Sequence, residues 1–249
     1  MSGHSKWATI KHQKAAKDKT RGKLFAKLIR QVEVAAREGG GDLDANATLR
    51  TMYTKARAAS VPTDTIERAI KRGTGELEGV TYEAITYEGY APGGVAVMVD
   101  VLTDNRNRTG SDIRSIFSKM GGSMAEPGAV AWQFSRRGVI IVPRSLAEDE
   151  VMMAAIESGA DDVADDGDVW RITTEPNVVE DVRAGLERAS ISVDSAESTM
   201  ISSTLVPLAR AEDAKRVLRL IDALEEHDDV QDVYSNFDIP DEILAEASA

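Results

Sequence analysis

The chain has 249 residues, no cysteine and a formal net charge of −12. This length allows one large domain or two to three small ones, and a 42% hydrophobic fraction is enough for a buried core. The lack of cysteine excludes disulfides, thiol nucleophiles and cysteine-ligated metal sites. No apolar run approaches the roughly 18 residues of a membrane helix. The first six residues have no apolar signal region, so we expect a cytoplasmic protein.

Charge is segregated along the chain. Residues 1–72 hold 16 Lys and Arg against 7 Asp and Glu, a net +9, whereas the remainder carries −21. Residues 1–30 alone contain nine bases and one acid, Asp18. A solubility pattern is the alternative, but bases packed this densely need counter-charge. The pattern predicts a polyanionic partner at the amino end and an acidic body that repels nucleic acid.

The first third of the chain is predicted to form an arm followed by three helices. Residues 1–20 are predicted to form an extended polar arm. The first helix carries an apolar stripe and ends at Gly39; a second spans about 46–59. The third runs from Asp64, the expected cap, to Gly73. The stripe of the first helix is Leu24, Leu28, Val32 and Ala35.

From Thr81 onward, strands and helices alternate. A hairpin is predicted from strands 82–88 and 95–102, with Ala91–Gly94 as the turn. The remaining predicted elements are a helix at 109–120, strands at 130–134 and 139–142, a helix at 146–157, a strand at 169–174, a helix at 178–189, a strand at 192–201, a helix at 212–225 and a strand at 230–237.

This element order predicts an α+β fold with an N-terminal three-helix domain and two α/β sandwich domains with ferredoxin-like elements. The expected domains are residues 1–75, residues 80–135 plus 204–240, and an inserted domain at 138–203. One candidate boundary is Arg136–Gly138.

No catalytic or metal-binding motif emerges. Phosphate-loop and dinucleotide-binding glycine patterns are absent, and the three histidines lack zinc-ligand spacing. The acidic run 161–168 lacks calcium-loop ligands at Ala164 and Thr173, which favours a solvated loop. His227 ends a helix, where a partly protonated ring suits the helix dipole. We expect no enzyme activity, no cofactor and no metal.

The basic amino end is the candidate nucleic-acid site. Each base that neutralises a phosphate releases a condensed counterion, and bases spaced every two to five residues suit a phosphate backbone. His4 and His12 favour phosphate or base contacts. Trp7 either stacks on an unpaired base or anchors the arm onto the helices. The candidate bases are Lys6, Lys11, Lys14, Lys17, Lys19, Arg21, Lys23 and Lys27.

A second candidate is the polar segment Leu102–Thr109, between a strand and a helix. It offers Asn105, Arg106, Asn107 and Arg108, with Thr109 as the expected helix cap. The segment is either a purely structural loop or a tip that contacts RNA or protein.

Five blocks of the sequence resemble the YebC/PmpR family. They are Met1–Trp7 with Ile10–His12, Ile66–Ile70, Tyr87–Pro92, Leu102–Thr109 and Asp228–Asn236, in this order along nearly the whole chain.

This resemblance implies a non-enzymatic cytoplasmic protein of three domains, with two α/β domains around a cleft and a C-terminal segment completing the second domain. Family members are described as probable transcriptional regulators that bind DNA. Others are described as translation factors that act on ribosomes stalled at proline-rich stretches. The partner is therefore DNA or, alternatively, ribosomal RNA or tRNA.

Overall fold

A computed structural model describes residues 18–248 and shows three helices followed by two larger sheets. The helices are α1 (Asp18–Gly39), α2 (Ala47–Ala58) and α3 (Thr63–Gly73). They share a core that includes Leu28, Val32, Leu49 and Ile66. In the part of the chain that the structure describes, no helix is both long and apolar enough to span a membrane.

Asn46 fixes the angle between α1 and α2. Its Oδ1 accepts from the backbone N–H of Leu49 at 3.0 Å and so caps α2. Its Nδ2 donates to the carbonyls of Ala35 and Gly40, both at 2.8 Å. One buried amide thus satisfies backbone groups at the end of α1 and the start of α2.

The first sheet is antiparallel and is built around a hairpin. Its strands are β1 (Glu83–Tyr90), β2 (Ala96–Thr103), β3 (Ser123–Met124) and β9 (Val230–Ser235), in the order β3-β1-β2-β9. The hairpin pairs Glu83 with Thr103 and Tyr90 with Ala96. A 3₁₀ turn at Pro92–Gly94 joins its two strands, and Gly93 and Gly94 there have positive φ.

Helices pack on one face of this sheet. They are α4 (Arg106–Lys119), α7 (Ala211–Glu225) and α8 (Asp241–Ser248). Val97, Val99 and Val101 of β2 meet Phe117 and Leu220 in one buried core. A short parallel pair joins β8 (Val206–Pro207), which precedes α7, to β10 (Phe237–Asp238), which follows β9.

The second sheet is also antiparallel and is covered by two helices. The elements are β4 (Phe134–Pro143), α5 (Glu148–Glu157), β5 (Asp162–Asp165), β6 (Val169–Thr174), α6 (Val179–Arg188) and β7 (Ser195–Ser202). The strand order is β5-β6-β4-β7. Its core joins Ile140, Trp170 and Ile172 to Val151 and Leu186 of the helices.

The α+β class, with a three-helix unit and two α/β units, is confirmed. Strand β9 returns to pair with β2 after the chain has built the second sheet. The domain bounds stay a prediction. The candidate boundary at 136–138 falls inside β4, which pairs with β7 from Phe134 to Ile141.

Several local predictions were wrong. Leu24 is 42% exposed instead of lying in the α1 stripe. Pro62 precedes α3, with no side-chain cap from Asp64. The two strands expected at 130–142 are a 3₁₀ turn followed by one strand. The acidic run 161–168 is not all solvated loop, because residues 162–165 form β5 and Asp166 is buried beside Arg171.

Asn236 joins the two sheets through buried hydrogen bonds. Its Oδ1 accepts from the N–H of Ala96 on β2 at 2.7 Å. Its Nδ2 donates to Oε1 of Gln133 and to the carbonyl of Thr204, both at 3.0 Å. Asn236 is 1% exposed. Because water does not reach this site, its partners need the amide of Asn236 for their hydrogen bonds.

We predict that Asn236→Ala lowers the free energy of unfolding by about 2–3 kcal/mol, because it leaves buried polar groups unpaired. Asn177→Ala, at an exposed position, is the control and should change it by less than about 0.5 kcal/mol. Urea denaturation measures both. Equal stability of the two variants would refute the role given to Asn236.

Candidate nucleic-acid interface

Some of the predicted site residues lie within residues 18–248, which the structure describes, and others lie outside them. Lys19 and Arg21 lie in the first turns of α1. Lys23 and Lys27 follow on the same helix, and the polar segment 104–108 lies at the start of α4. Outside the described residues fall His4, Lys6, Trp7, Lys11, His12, Lys14 and Lys17.

One side of α1 docks on the carboxyl end of α7. Lys23 Nζ donates to the carbonyl of Glu226 at 2.7 Å, and Lys27 Nζ donates to that of Glu225 at 3.0 Å. Arg30 Nη1 donates to the carbonyl of Asp228 at 2.6 Å. Positions 23, 27 and 30 share one helix face. These cations therefore satisfy carbonyls at the negative end of α7.

The buried carboxylate of Asp229 completes this contact and extends it to α4. Oδ1 accepts from Arg30 Nη1 at 2.9 Å. Oδ2 accepts from Arg108 Nη2 at 2.9 Å, from Thr109 Oγ1 at 2.7 Å and from Thr103 Oγ1 at 3.2 Å. Asp229 is 4% exposed. We call Arg30, Thr103, Arg108, Thr109 and Asp229 the Asp229 cluster.

The pKa of Asp229 is lowered from the ordinary 3.8. Burial alone would raise it, but hydrogen bonds from Thr109 and Arg108, the charge of Arg30 and a hydrogen bond from Thr103 outweigh burial. The carboxylate is therefore charged at neutral pH and holds two guanidinium groups from elements far apart in sequence.

The polar segment Leu102–Thr109 runs from the end of β2 into the first turn of α4. Asn105, not Thr109, caps the helix and accepts from the N–H of Arg108 at 3.1 Å. Thr109 is not the cap, because it already lies within the helix, where its N–H donates to the carbonyl of Asn105 at 3.1 Å and its hydroxyl donates to Asp229. Arg106 pairs with Glu83 at 3.2 Å while two-thirds of its side chain stays exposed, and Asn107 is also exposed. The segment thus has a structural role and still presents polar groups to solvent.

Three further bases on the helical unit were not among the predicted site residues. Lys55 on α2 and Arg68 and Lys71 on α3 are exposed, and none has a side-chain partner within residues 18–248. Sequence alone could not separate these free bases from Arg37 and Arg72, which pair with buried Glu33. A base that pairs with a carboxylate on another helix can be recognised only from the folded structure.

His227 lies two residues after α7, as its sequence position suggested. Its Nδ1 accepts from the N–H of Asp229 at 3.2 Å, and its Nε2 is 3.4 Å from Oδ2 of Asp112. The ring thus links α7 to α4. Over residues 18–248, no three His, Asp or Glu side chains lie together as a metal site.

We predict that Asp229→Asn lowers the free energy of unfolding by about 2 kcal/mol at neutral pH, because two guanidinium groups lose a charged acceptor. The pKa of Asp229 is lower in the folded protein than in the unfolded chain, so its ionised carboxylate stabilises the fold at pH values above the unfolded pKa. This stabilisation is lost as the pH falls through the folded pKa. The difference from the unsubstituted protein should therefore shrink below about pH 3.8.

Asp228→Asn is the matched control, since this neighbouring side chain is 75% exposed. It should change stability by less than about 0.5 kcal/mol. Chemical denaturation across pH measures both variants. A pH-independent difference for Asp229→Asn would contradict the assignment of this carboxylate.

Comparison with known proteins identifies relatives over the whole chain. A family model described as the TACO1/YebC protein N-terminal domain matches residues 5–76. A second, described as the TACO1/YebC second and third domain, matches residues 82–237. A "probable transcriptional regulatory protein" of Rubrobacter xylanophilus is 58% identical, with 100% of both chains covered. Another of Corynebacterium diphtheriae is 55% identical, again covering 100% of both.

A solved structure has the same fold. The crystal structure of a conserved hypothetical protein from Aquifex aeolicus matches with a TM-score of 0.79 and 47% identity, covering 91% of this chain and 94% of that one. These matches confirm the resemblance seen in the sequence blocks, and the chain belongs to the TACO1/YebC family.

Proposed function

We propose that this protein is a non-enzymatic, cytoplasmic regulatory protein that binds DNA through its basic N-terminal domain. The observation that carries the proposal is the charge segregation, +9 over residues 1–72 against −21 over the rest. Residues 138–203, which form most of the second sheet unit, hold 4 bases and 15 acids. Such a body repels phosphates and orients the basic end towards them. The names of the bacterial relatives agree with a regulatory role.

The contacts of α1 assign different tasks to its bases. Lys23, Lys27 and Arg30 hold the helix on α7, so they position it against the body. Phosphate contacts then come from the bases that precede Lys23, and from the free side chains of α2 and α3. The exposed Arg106 and Asn107 extend this surface at the start of α4.

The described helices favour phosphate contacts over base reading. Helices α2 and α3 are joined by the short turn Ala59–Pro62, as in helix-turn-helix proteins. In those proteins, the first residues of the second helix contact base edges. Here the corresponding positions include Asp64 and Glu67, which are exposed and acidic. Affinity should therefore depend on phosphates and vary little with sequence.

A second candidate function is a ribosome-associated translation factor that relieves stalling at proline-rich stretches. The acidic start of α3 favours it, because ribosomal RNA and tRNA offer dense phosphates and need no major-groove reading. Bases of the amino end and the 104–108 segment would supply those contacts.

We predict that reversing Lys11, Lys14 and Lys17 to Glu together abolishes tight nucleic-acid binding. For duplex DNA, the slope of log affinity against log salt should fall by about 0.9 for each phosphate that the variant no longer neutralises. Fluorescence anisotropy between about 50 and 200 mM salt measures it.

A charge-matched control reverses Arg144, Arg183 and Arg188, which all lie in the acidic second-sheet unit. We expect this control to keep the slope of the unsubstituted protein. If both triple variants lose binding equally, net charge alone governs affinity and the proposed site is wrong.

Sedimentation of cell lysate separates the two functions. DNA regulation predicts tight binding to promoter fragments and no ribosome association. A translation factor predicts co-migration with ribosomes that the triple Lys→Glu variant loses. Co-migration without promoter binding would overturn the DNA proposal and support the second candidate.

A further inference from the structure

A basic pocket lies on the helical face of the first sheet, away from the amino end. It encloses about 310 Å³ between the last turn of α4, the middle of α7 and the β1–β2 turn. The side chains of Lys119, Arg216 and Arg219 line it, together with Met120 and Pro92. Three cations therefore converge on one pocket of an otherwise acidic body.

The side chains of these three residues are available to bind an anionic ligand. Lys119 and Arg219 are exposed and form no side-chain hydrogen bond or ion pair with any of residues 18–248. Arg216 Nη2 donates to Glu212 at 2.7 Å, and its side chain stays 57% exposed. Like charges that line one pocket repel one another, and among these three only Arg216 has a carboxylate partner within residues 18–248. Lys119 also offsets the negative end of the α4 dipole, but that role needs neither arginine.

The pocket lies at the opposite end of α4 from the exposed Arg106 and Asn107 of the proposed interface. Helices α4 and α7 run antiparallel, since His227 meets Asp112 while Lys119 meets the arginines of α7. Helix α4 carries four bases and one acid. Arg106 and Lys119 are thirteen residues apart, an axial rise of about 20 Å.

We propose that the pocket formed by Lys119, Arg216 and Arg219 binds a phosphate of the nucleic-acid backbone, as a second contact beyond the basic amino end. This inference rests on the proposed function. Lysine acts as a point charge towards phosphate, and each arginine offers a planar fork of donors. The contact carries no base specificity, so it adds affinity and fixes the direction in which the strand leaves the amino end.

The test compares two full-length double variants. Lys119→Ala with Arg219→Ala removes two pocket cations from exposed positions. Arg183→Ala with Arg188→Ala removes the same charge from α6. Affinity for a labelled duplex of about 30 base pairs is measured at several salt concentrations, alongside thermal stability.

We expect the pocket variant to bind roughly tenfold more weakly at about 0.1 M salt, with a slope reduced by about 0.9 for each phosphate left without its cation. The α6 control should match the unsubstituted protein. A pocket variant that retains both affinity and slope overturns this inference and leaves the proposed function standing. If the unsubstituted protein itself fails to bind the duplex, the proposed function fails instead.

A second arm distinguishes a backbone phosphate from a small free anion. Inorganic phosphate is titrated into the unsubstituted protein and the pocket variant, and binding is followed by calorimetry. A backbone site predicts weak phosphate binding together with reduced oligonucleotide affinity in the pocket variant. Tight phosphate binding that the pocket variant loses, with unchanged oligonucleotide affinity, would assign the pocket to a small anion and refute the backbone contact.

Discussion

The buried carboxylate of Asp229 is the interaction on which the arrangement of the basic elements depends. It lies between the end of helix α7 and the start of strand β9. From there it binds Arg30 of α1 and Arg108 of α4. Taking a carboxylate out of water is unfavourable unless its lone pairs are filled, and here four donors fill them. The helical unit and the polar segment therefore keep one fixed relation to each other.

This arrangement explains how an acidic protein can present a basic surface. The cations that face the body, Lys23, Lys27 and Arg30, are used by carbonyls at the end of α7 and by Asp229, so they hold α1 against the body. The second sheet unit remains acidic and repels polyanions. Outside the helical unit, α4 carries four bases and one acid, and Arg216 and Arg219 of α7 line the pocket at its end.

Hydrophobic periodicity was enough to predict most helices and most of the longer strands, because buried stripes and alternating patterns are local signals. Helix starts were less predictable. Several neighbouring residues could cap α4, and only the fold shows that the helix begins at Arg106, with Asn105 as its cap and Thr109 inside the first turns. Gly138 resembled a boundary, yet it lies inside β4, where a Cβ would come within 2.0 Å of Val179. Lys23 and Lys27 looked equivalent to the other bases, since nothing local reveals a carbonyl partner some 200 residues away.

Lysine acylation footprinting tests most directly whether the amino end meets the phosphates. Nine of the eleven lysines lie within residues 1–71, and Lys215 on α7 is half-buried and serves as the internal reference. We expect nucleic acid to protect Lys11, Lys14 and Lys17 from modification while Lys215 reacts as before. Unchanged labelling of all three under saturating nucleic acid would contradict the central claim.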